Sequence, residues 1–200
     1  MFYSQITIIY ASIFDVALVP IGFVAIGSTA PGLITGLLSQ MKGTADSVET
    51  KARRICAHEA GHFLCGYLCG LPIKRYTVDE KTGYPCVEFH PSSFQGSDQR
   101  EFTKEEIAAL AVVALSGSVA EVLTFGRATG GESDLMELDR LFRRSEEFIG
   151  TQKQQDLTRW GAYTAYNLIK ANMGKYEKLV ESFSMKKSIS ECIATIETCE

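Results

Sequence analysis

Two histidines with a glutamate between them are the residues of this chain best suited to chemistry. His58 and His62 are four residues apart, so in a helix their imidazoles lie on one face, one turn from each other. That spacing lets both rings bind a single zinc ion, and Glu59, next to the first ring, is placed to act as a base towards water. The pattern His-Glu-x-x-His therefore predicts zinc-dependent hydrolysis, with Glu59 as the catalytic residue and the two histidines as metal ligands.

The scarcity of histidine and the local sequence both support this interpretation. The chain has three histidines in 200 residues, and two of them fall in this one pattern. A lone histidine on a helix is more often a satisfied core or surface residue, but a pair at this spacing with an interposed glutamate is not easily explained that way. No proline interrupts residues 48–71, and Gly70-Leu71-Pro72 follows, so the sequence predicts a helix that ends there.

Composition limits the class of protein. A length of 200 residues suits one domain with a small appendage. The formal net charge is -4, which is not the basic character typical of nucleic-acid-binding proteins. The six cysteines include no Cys-x-x-Cys pair and form no recognisable disulfide framework, so we expect reduced, buried thiols. Cys65 follows His62 on the same helix face, where we expect it to pack rather than to bind metal.

The amino-terminal part of the chain is strongly apolar. Residues 16–41 carry no charged side chain, and their core, 18–38, is long enough to cross a bilayer as a helix. We expect this segment to span or contact a membrane; the alternative is a buried helical hairpin or an irregular loop, because Pro20 and Pro31 argue against one straight helix. Lysine and arginine follow the segment and do not precede it, which places the rest of the chain on the cytosolic, matrix or stromal side. The predicted parts are an apolar segment 1–41, a linker 42–52 and a zinc-binding domain 53–200.

Two stretches after the first helix have the composition of strands. Residues 74–78 and 84–89 flank the turn-forming segment Asp-Glu-Lys-Thr-Gly, and Pro85 indicates that the second is an edge strand. An exposed strand edge beside a metal site can bind an extended peptide as an additional strand; the alternative is an ordinary hairpin that covers the helix. The candidate substrate-binding residues of this strand are Tyr84, Val87 and Phe89.

The remainder of the chain predicts helices. Thr103 and Glu106 have the spacing of a capping box, and the alanine-, valine- and leucine-rich stretch 104–125 that follows should be a largely buried helix. Glu121 lies in this apolar stretch, and a buried carboxylate needs a partner. It is therefore predicted either to hydrogen-bond a metal-binding imidazole or to lie at the surface at the helix end. Further helices are predicted over 135–148, 158–172, 175–183 and 188–198.

The third metal ligand stays open at this point. A catalytic zinc usually takes three protein ligands and keeps one position free, and His58 and His62 supply two. Spacing alone does not choose the third; the candidates are His90, Glu121, Asp134 and Asp139. Asp134 and Glu137 also have the spacing of a helix N-cap box, which gives Asp134 an alternative structural role.

Three motifs occur in a fixed order along the chain. They are Ala-His-Glu-Ala-Gly-His at 57–62, a small-residue stretch at 114–126 that ends in Phe-Gly, and Gly-Gly-Glu-Ser-Asp-Leu at 130–135. In type and order they resemble the peptidase domain of FtsH-type membrane zinc proteases, and the looser similarity of 165–180 extends the likeness over about residues 50–198. The resemblance implies a mainly α, zincin-like peptidase fold with a small β-hairpin, a bound Zn²⁺, and Asp134 as the third metal ligand.

The chain departs from that family in one respect. Family members carry an ATPase module before the peptidase domain, whereas the closest approach to a phosphate-binding loop here, 36–44, has Met41 where the second glycine is required. We therefore expect this chain to act on unfolded or short segments, to join a partner ATPase, or to keep the fold for a binding role. The family's occurrence associates it with a plastid or mitochondrial membrane.

The sequence as a whole predicts a zinc metalloendopeptidase that acts on unfolded or membrane-associated proteins, either as a homo-oligomer or with a separate ATPase, and not on nucleic acid. Two alternatives stay open. One is a peptidase-like subunit that serves as a non-proteolytic scaffold of a membrane complex, although a scaffold has no physical requirement to keep Glu59. The other is a zinc hydrolase that acts on a non-peptide.

Overall fold

The structure, a computed structural model, describes residues 48–81, 83–90 and 101–199. Within these residues the chain is mainly helical and has one two-stranded antiparallel sheet, so the predicted fold class is confirmed. The elements are α1 Val48–Leu68, β1 Ile73–Thr77, β2 Cys86–Phe89, α2 Lys104–Phe125, α3 Glu132–Arg143, α4 Thr151–Ala171, α5 Met173–Ser184 and α6 Ile189–Thr198. The predicted membrane segment 1–41 and the 36–44 stretch lie outside the described residues.

The first helix ends in a glycine-based cap. Gly70 has a φ of 76°, in the left-handed region that glycine adopts without strain. The N–H of Leu71 donates to the carbonyl of Gly66, and the N–H of Gly70 donates to the carbonyl of Tyr67. This pair of hydrogen bonds is a Schellman motif, and it confirms the predicted helix end. At the other end α1 reaches back to Val48, so residues 48–52 of the predicted linker are helical.

The central helix is α2, whose bounds are those predicted. The Thr103 side chain accepts from the N–H of Glu106, and the Glu106 carboxylate accepts from the N–H of Thr103, so the predicted capping box is confirmed. By length and composition α2 is the one described helix that could cross a membrane, but 61% of its most apolar window is buried inside the protein. Its apolar residues are therefore used in packing, chiefly against α1 and α4.

Helices α1 and α2 touch backbone to backbone at Gly61. A Cβ at this position would lie 2.7 Å from the Cβ of Ala120 and 2.7 Å from the carbonyl oxygen of Ser116, closer than real side chains approach each other. Only glycine allows this contact without a shift of one helix. The close approach sets the histidine-bearing face of α1 directly on α2.

The small sheet covers α1 with the inner face of its second strand. In the antiparallel register Tyr76 is opposite Val87. The ring of Phe89 lies against α1 at Gly66, so closely that a Cβ added to Gly66 would be 2.3 Å from the ring. Val87 also packs against the core. These two side chains of the predicted substrate strand are partly buried against the core, and their part in substrate binding stays a prediction. The sheet has two strands, so the other backbone edge of β2 has no strand partner within the described ranges.

Helix α3 begins and ends earlier than the predicted 135–148. Its N-cap residue is Gly131, with a φ of 100°, and no side chain caps the helix. The predicted N-cap box of Asp134 and Glu137 is therefore wrong, because glycine already makes the turn and Asp134 lies inside the first turn of the helix. Helix α4 begins before the predicted residue 158 because Gly150 provides its N-cap position. Helices α5 and α6 lie where they were predicted.

The capping box of α6 gives a test of local stability. The Ser188 side chain accepts from the N–H of Glu191, and the Glu191 carboxylate accepts in return from Ser188. Ser188→Ala should lower the free energy of unfolding in urea by about 1 kcal/mol, because the cap hydrogen bonds are lost. Ser190→Ala, an exposed position in the same helix, should change it by less than about 0.5 kcal/mol. Equal effects of the two substitutions would contradict the capping role.

Candidate metal centre

The two imidazoles of the His-Glu-x-x-His pattern converge through one nitrogen each. His58 Nε2 and His62 Nε2 are 3.1 Å apart, and the ring planes meet edge to face at 71°. Each residue is 9% exposed, because α1 presents this face to α2. The helical spacing of the two histidines thus brings two potential metal-binding nitrogens to one point, as the sequence predicted.

The second nitrogen of each ring is held by α2. His58 Nδ1 is 2.8 Å from Glu121 Oε1, and His62 Nδ1 is 2.8 Å from the carbonyl oxygen of Val113. Both Nδ1 atoms face acceptors, so they carry the protons and the Nε2 lone pairs are available to a metal. Such outer hydrogen bonds fix the tautomer and the ring orientation of metal-binding histidines.

Asp134 brings a third donor atom to the same point. Its Oδ2 lies 3.0 Å from His58 Nε2 and 3.5 Å from His62 Nε2. In a tetrahedral site with zinc–nitrogen distances of about 2.0–2.1 Å, neighbouring donor atoms are about 3.3 Å apart, so the three observed separations fit zinc. Among the described residues these three side chains form the one group of His, Cys, Asp or Glu with the spacing of a metal site.

The other residues considered as ligands lie elsewhere. His90 is exposed, and Asp139 is an exposed residue of α3 that pairs with Arg143 at 2.8 Å. Cys65 is fully buried, and burial raises the pKa of its thiol to about 12, so it packs as a neutral side chain. All six cysteines are free thiols, and four of them are buried as expected, whereas Cys69 and Cys86 are only partly buried.

Glu121 is the most heavily hydrogen-bonded carboxylate of the centre and is 2% exposed. Besides His58, it accepts from the N–H and the hydroxyl of Thr129 at 2.8 and 3.0 Å and from the N–H of Gly130 at 3.2 Å. The guanidinium of Arg54 lies 3.5 Å from its Oε2. Glu121 therefore lies in the interior, where it accepts from His58, and not at the surface. Neither Thr129 nor Arg54 was predicted from the sequence to belong to the centre. The one sequence signal is the position of Arg54, which lies one helical turn before His58 on the same helix face.

One oxygen of Glu59 has no hydrogen-bond partner among the described residues. The residue is 6% exposed, and its Oε2 is buried without a hydrogen bond. Burial raises the pKa of the Glu59 carboxyl above its ordinary value, against the opposing effect of His62 and His58. A buried carboxylate oxygen with nothing to accept from, beside two converging imidazoles, fits a centre completed by a bound group.

With no metal ion bound, hydrogen bonds outweigh burial in setting the ionisation of three side chains of the centre. Burial disfavours a charged imidazole, but the hydrogen bonds with Asp134 and Glu121 raise the pKa of His58 to about 10. Burial is likewise outweighed at Asp134, where the two imidazoles lower the pKa, and at Glu121, where His58 and Thr129 lower it. The protein thus holds a cation between carboxylates at this point, and a metal ion would take the place of that proton.

Tyr84, the first of the predicted substrate-binding residues, lies near the third donor. It is 73% exposed, and its hydroxyl is 3.3 Å from Ser133 Oγ, next to Asp134 in the chain. Tyr84 therefore links the segment before β2 to the beginning of α3.

Gly117 leaves the space in which the imidazoles meet. A Cβ on this residue of α2 would lie 2.4 Å from His58 Nε2 and 2.5 Å from His62 Nε2. These distances are close to zinc–nitrogen bond lengths, so an added methyl group would compete for the position of a metal ion. The glycine is required here by space and not by backbone conformation.

This geometry predicts that Gly117→Ala abolishes zinc binding. The methyl group pushes the imidazoles apart, and the zinc content after dialysis, measured by mass spectrometry, should fall to background. Gly174→Ala is the matched control, because Gly174 also lies in a helix and its added Cβ makes an ordinary 3.8 Å contact with Cys199 Sγ. Full zinc content in folded Gly117→Ala would contradict the proposed position of the metal.

A second substitution tests the third donor. Asp134→Ala removes one of three ligands, and zinc affinity should fall by at least about tenfold, measured by competition with a chelator. Asp139→Ala, on the outer side of the same helix, removes a carboxylate that pairs with solvent-exposed Arg143 and should leave affinity unchanged. Retention of zinc by Asp134→Ala at the level of Asp139→Ala would reject the ligand assignment.

Curated relatives of the chain are zinc metalloproteases. The chain is 27% identical over 152 residues to the ATP-dependent zinc metalloprotease FtsH of Thermobaculum terrenum, a match that covers 74% of this chain and 21% of the relative. It is 29% identical over 111 residues to the chloroplastic ATP-dependent zinc metalloproteases FTSH 1 of Oryza sativa subsp. japonica and FTSH 5 of Arabidopsis thaliana, matches that cover 53% of this chain and 16% of each relative. No family model matches the chain.

The chain is similar to FtsH zinc metalloproteases at 27–29% identity over part of its length. It spans about a fifth of the length of the curated relatives it matches. The similarity agrees with the resemblance of the three sequence motifs to this family.

Proposed function

We propose that the protein is a zinc metalloendopeptidase. The observation that carries this proposal is the convergence of His58 Nε2, His62 Nε2 and Asp134 Oδ2 beside the unpartnered, buried oxygen of Glu59. Three donors with a carboxylate alongside and no fourth protein ligand among the described residues form an open site, the kind used in hydrolysis. A fully closed set of four ligands would instead indicate a structural metal.

Each side chain of the centre has a role in peptide hydrolysis. His58, His62 and Asp134 would hold zinc, which supplies Lewis acidity for the attack of water on a peptide carbonyl. Glu59 takes the proton from the attacking water and returns it to the leaving nitrogen. Glu121 keeps His58 in the tautomer that leaves its Nε2 lone pair free.

The peptide is proposed to bind along the free edge of β2. The side chains of Val87 and Phe89 face inward, so a bound peptide would pair mainly with strand backbone. Backbone pairing requires an extended segment and imposes little sequence preference. This mode suits unfolded proteins and extended segments of membrane-associated proteins as substrates.

The names of the relatives support a proposal for substrate delivery and location. Those relatives are named ATP-dependent, and two of the names carry the word chloroplastic. We therefore propose that a partner ATPase or a homo-oligomer presents substrate to this chain at a membrane, in plastids or mitochondria, with the peptidase part on the stromal, matrix or cytosolic side. The apolar character of residues 16–41 supports the membrane as the site of action.

Glu59→Gln tests the catalytic assignment. The substitution keeps the size of the side chain and the zinc ligands but removes the base, so hydrolysis of casein should fall to background while zinc content is retained. Glu177→Gln, an exposed position on α5, is the control and should cleave as the unaltered protein does. Undiminished cleavage by Glu59→Gln would refute the role of Glu59. An unaltered protein that binds zinc but cleaves neither casein nor a short unfolded peptide would favour the scaffold alternative.

A further inference from the structure

A buried cation lies one helical turn before the first histidine of α1. Arg54 is 8% exposed, and its Nη1 lies 3.5 Å from Glu121 Oε2 and 3.3 Å from the carbonyl oxygen of Arg127. Its guanidinium carbon is 4.4 Å from the centre of the Phe125 ring. Burial of an arginine is costly unless it is paired. These three contacts offset that cost and hold the guanidinium in a fixed position.

The three groups just named, which Arg54 contacts, belong to one end of α2 and the turn that follows it. Phe125 is the last residue of α2, and Arg127 lies in the turn 126–131. This turn supplies the three backbone and hydroxyl donors from Thr129 and Gly130 that hold Glu121. It then leads directly into α3, which carries Asp134 in its first turn.

The ligand set needs a connection between two elements that are far apart in sequence. His58 and His62 lie on α1, whereas Asp134 arrives from α3 after the turn. Arg54 is on α1, in register with the two histidines, and reaches the turn itself. A planar guanidinium can stack on an aromatic ring and bond two acceptors in its plane at once, which fixes the turn in translation and in tilt.

We propose that Arg54 is a positioning residue for the metal centre, which pins the turn 126–131 to α1 and so holds Glu121 and Asp134 in place around His58. The role rests on the proposed function, because the residues that Arg54 would position are those around the proposed zinc. None of the three contacts of Arg54 described above is with a metal-donor atom. Its effect passes through the carboxylate behind His58 and through the path of the chain into α3.

Two ways in which Arg54 could act have opposite signs. Removal of a positive charge near the centre, with geometry unchanged, would make the site attract a cation more strongly. Release of the turn loosens the outer hydrogen bonds of the ligands, and such losses typically weaken metal binding by about 10–100-fold. The positioning role therefore predicts weaker zinc binding, and the charge alone predicts tighter binding.

The test compares Arg54→Gln, Arg54→Lys and Arg53→Gln. Zinc affinity is measured by chelator competition well below the melting temperature, where all variants are folded by circular dichroism. Arg54→Gln should bind zinc about tenfold more weakly or worse. Arg54→Lys should also bind more weakly than the unaltered protein, because an ammonium group keeps the charge but loses the planar fork. Arg53→Gln should bind normally, since Arg53 is exposed and lies farther from Phe125, at 5.9 Å from the ring centre.

A second readout needs no metal. The amide protons of Thr129 and Gly130 should exchange with deuterium faster in metal-free Arg54→Gln than in the metal-free unaltered protein, because the turn is no longer pinned. Ser188→Ala controls for a general loss of stability, and should change neither zinc affinity nor exchange in the turn.

The outcomes separate this proposal from the proposed function. If Arg54→Gln binds zinc as tightly as the unaltered protein or more tightly, or if Arg54→Lys restores full affinity, the positioning role is overturned while the metal site stands. If the unaltered protein binds no zinc, the proposed function fails, and the exchange of Thr129 and Gly130 alone decides whether Arg54 pins the turn.

Discussion

The hydrogen bond between His58 and Glu121 is the interaction on which the rest of the centre depends. It joins the helix that carries the histidines to the central helix, at a point where both residues are buried. Through its remaining lone pairs the same carboxylate holds Thr129 and Gly130, and with them the turn that leads to Asp134. The carboxylate of Glu121 thereby couples the orientation of His58 to the position of Asp134. This coupling explains the presence of an acidic residue in the apolar part of α2.

The central helix combines two demands that usually conflict. As the core of a small domain it must be apolar, and its length and composition would also suit a membrane. As the wall of a polar centre it must also leave space and offer acceptors. It meets the second demand with Gly117, which opens room for the imidazoles, and with the carbonyl of Val113, an acceptor that requires no polar side chain. Small residues in this helix are therefore dictated by the site as much as by helix packing.

Local sequence patterns predicted the helices and strands, but they could not predict contacts between residues that are far apart in the sequence. The bounds of α2 and its capping box followed from Thr103 and Glu106 because capping is decided within four residues. The pairing of His58 with His62 followed from helical periodicity. The choice of Asp134 as third donor required resemblance to a family, since residues 62 and 134 are brought together only by the packing of α1, α2 and α3. The role assigned to Asp134 at a helix N-cap failed because a neighbouring glycine in the left-handed region began the helix first.

In the hairpin, core packing decides the direction of the side chains of the second strand. Alternation along a strand sends every second side chain to the same face, so Val87 and Phe89 both lie on the face that covers α1, where they are partly buried. Their inward direction leaves the backbone edge of β2 as the part of the strand open to a peptide. Recognition by backbone depends on whether a segment is extended, and it depends little on which residues the segment contains. Under the proposed function, a centre built this way would select substrates by their unfolded state, and selectivity among proteins would come from whatever brings an unfolded segment to it.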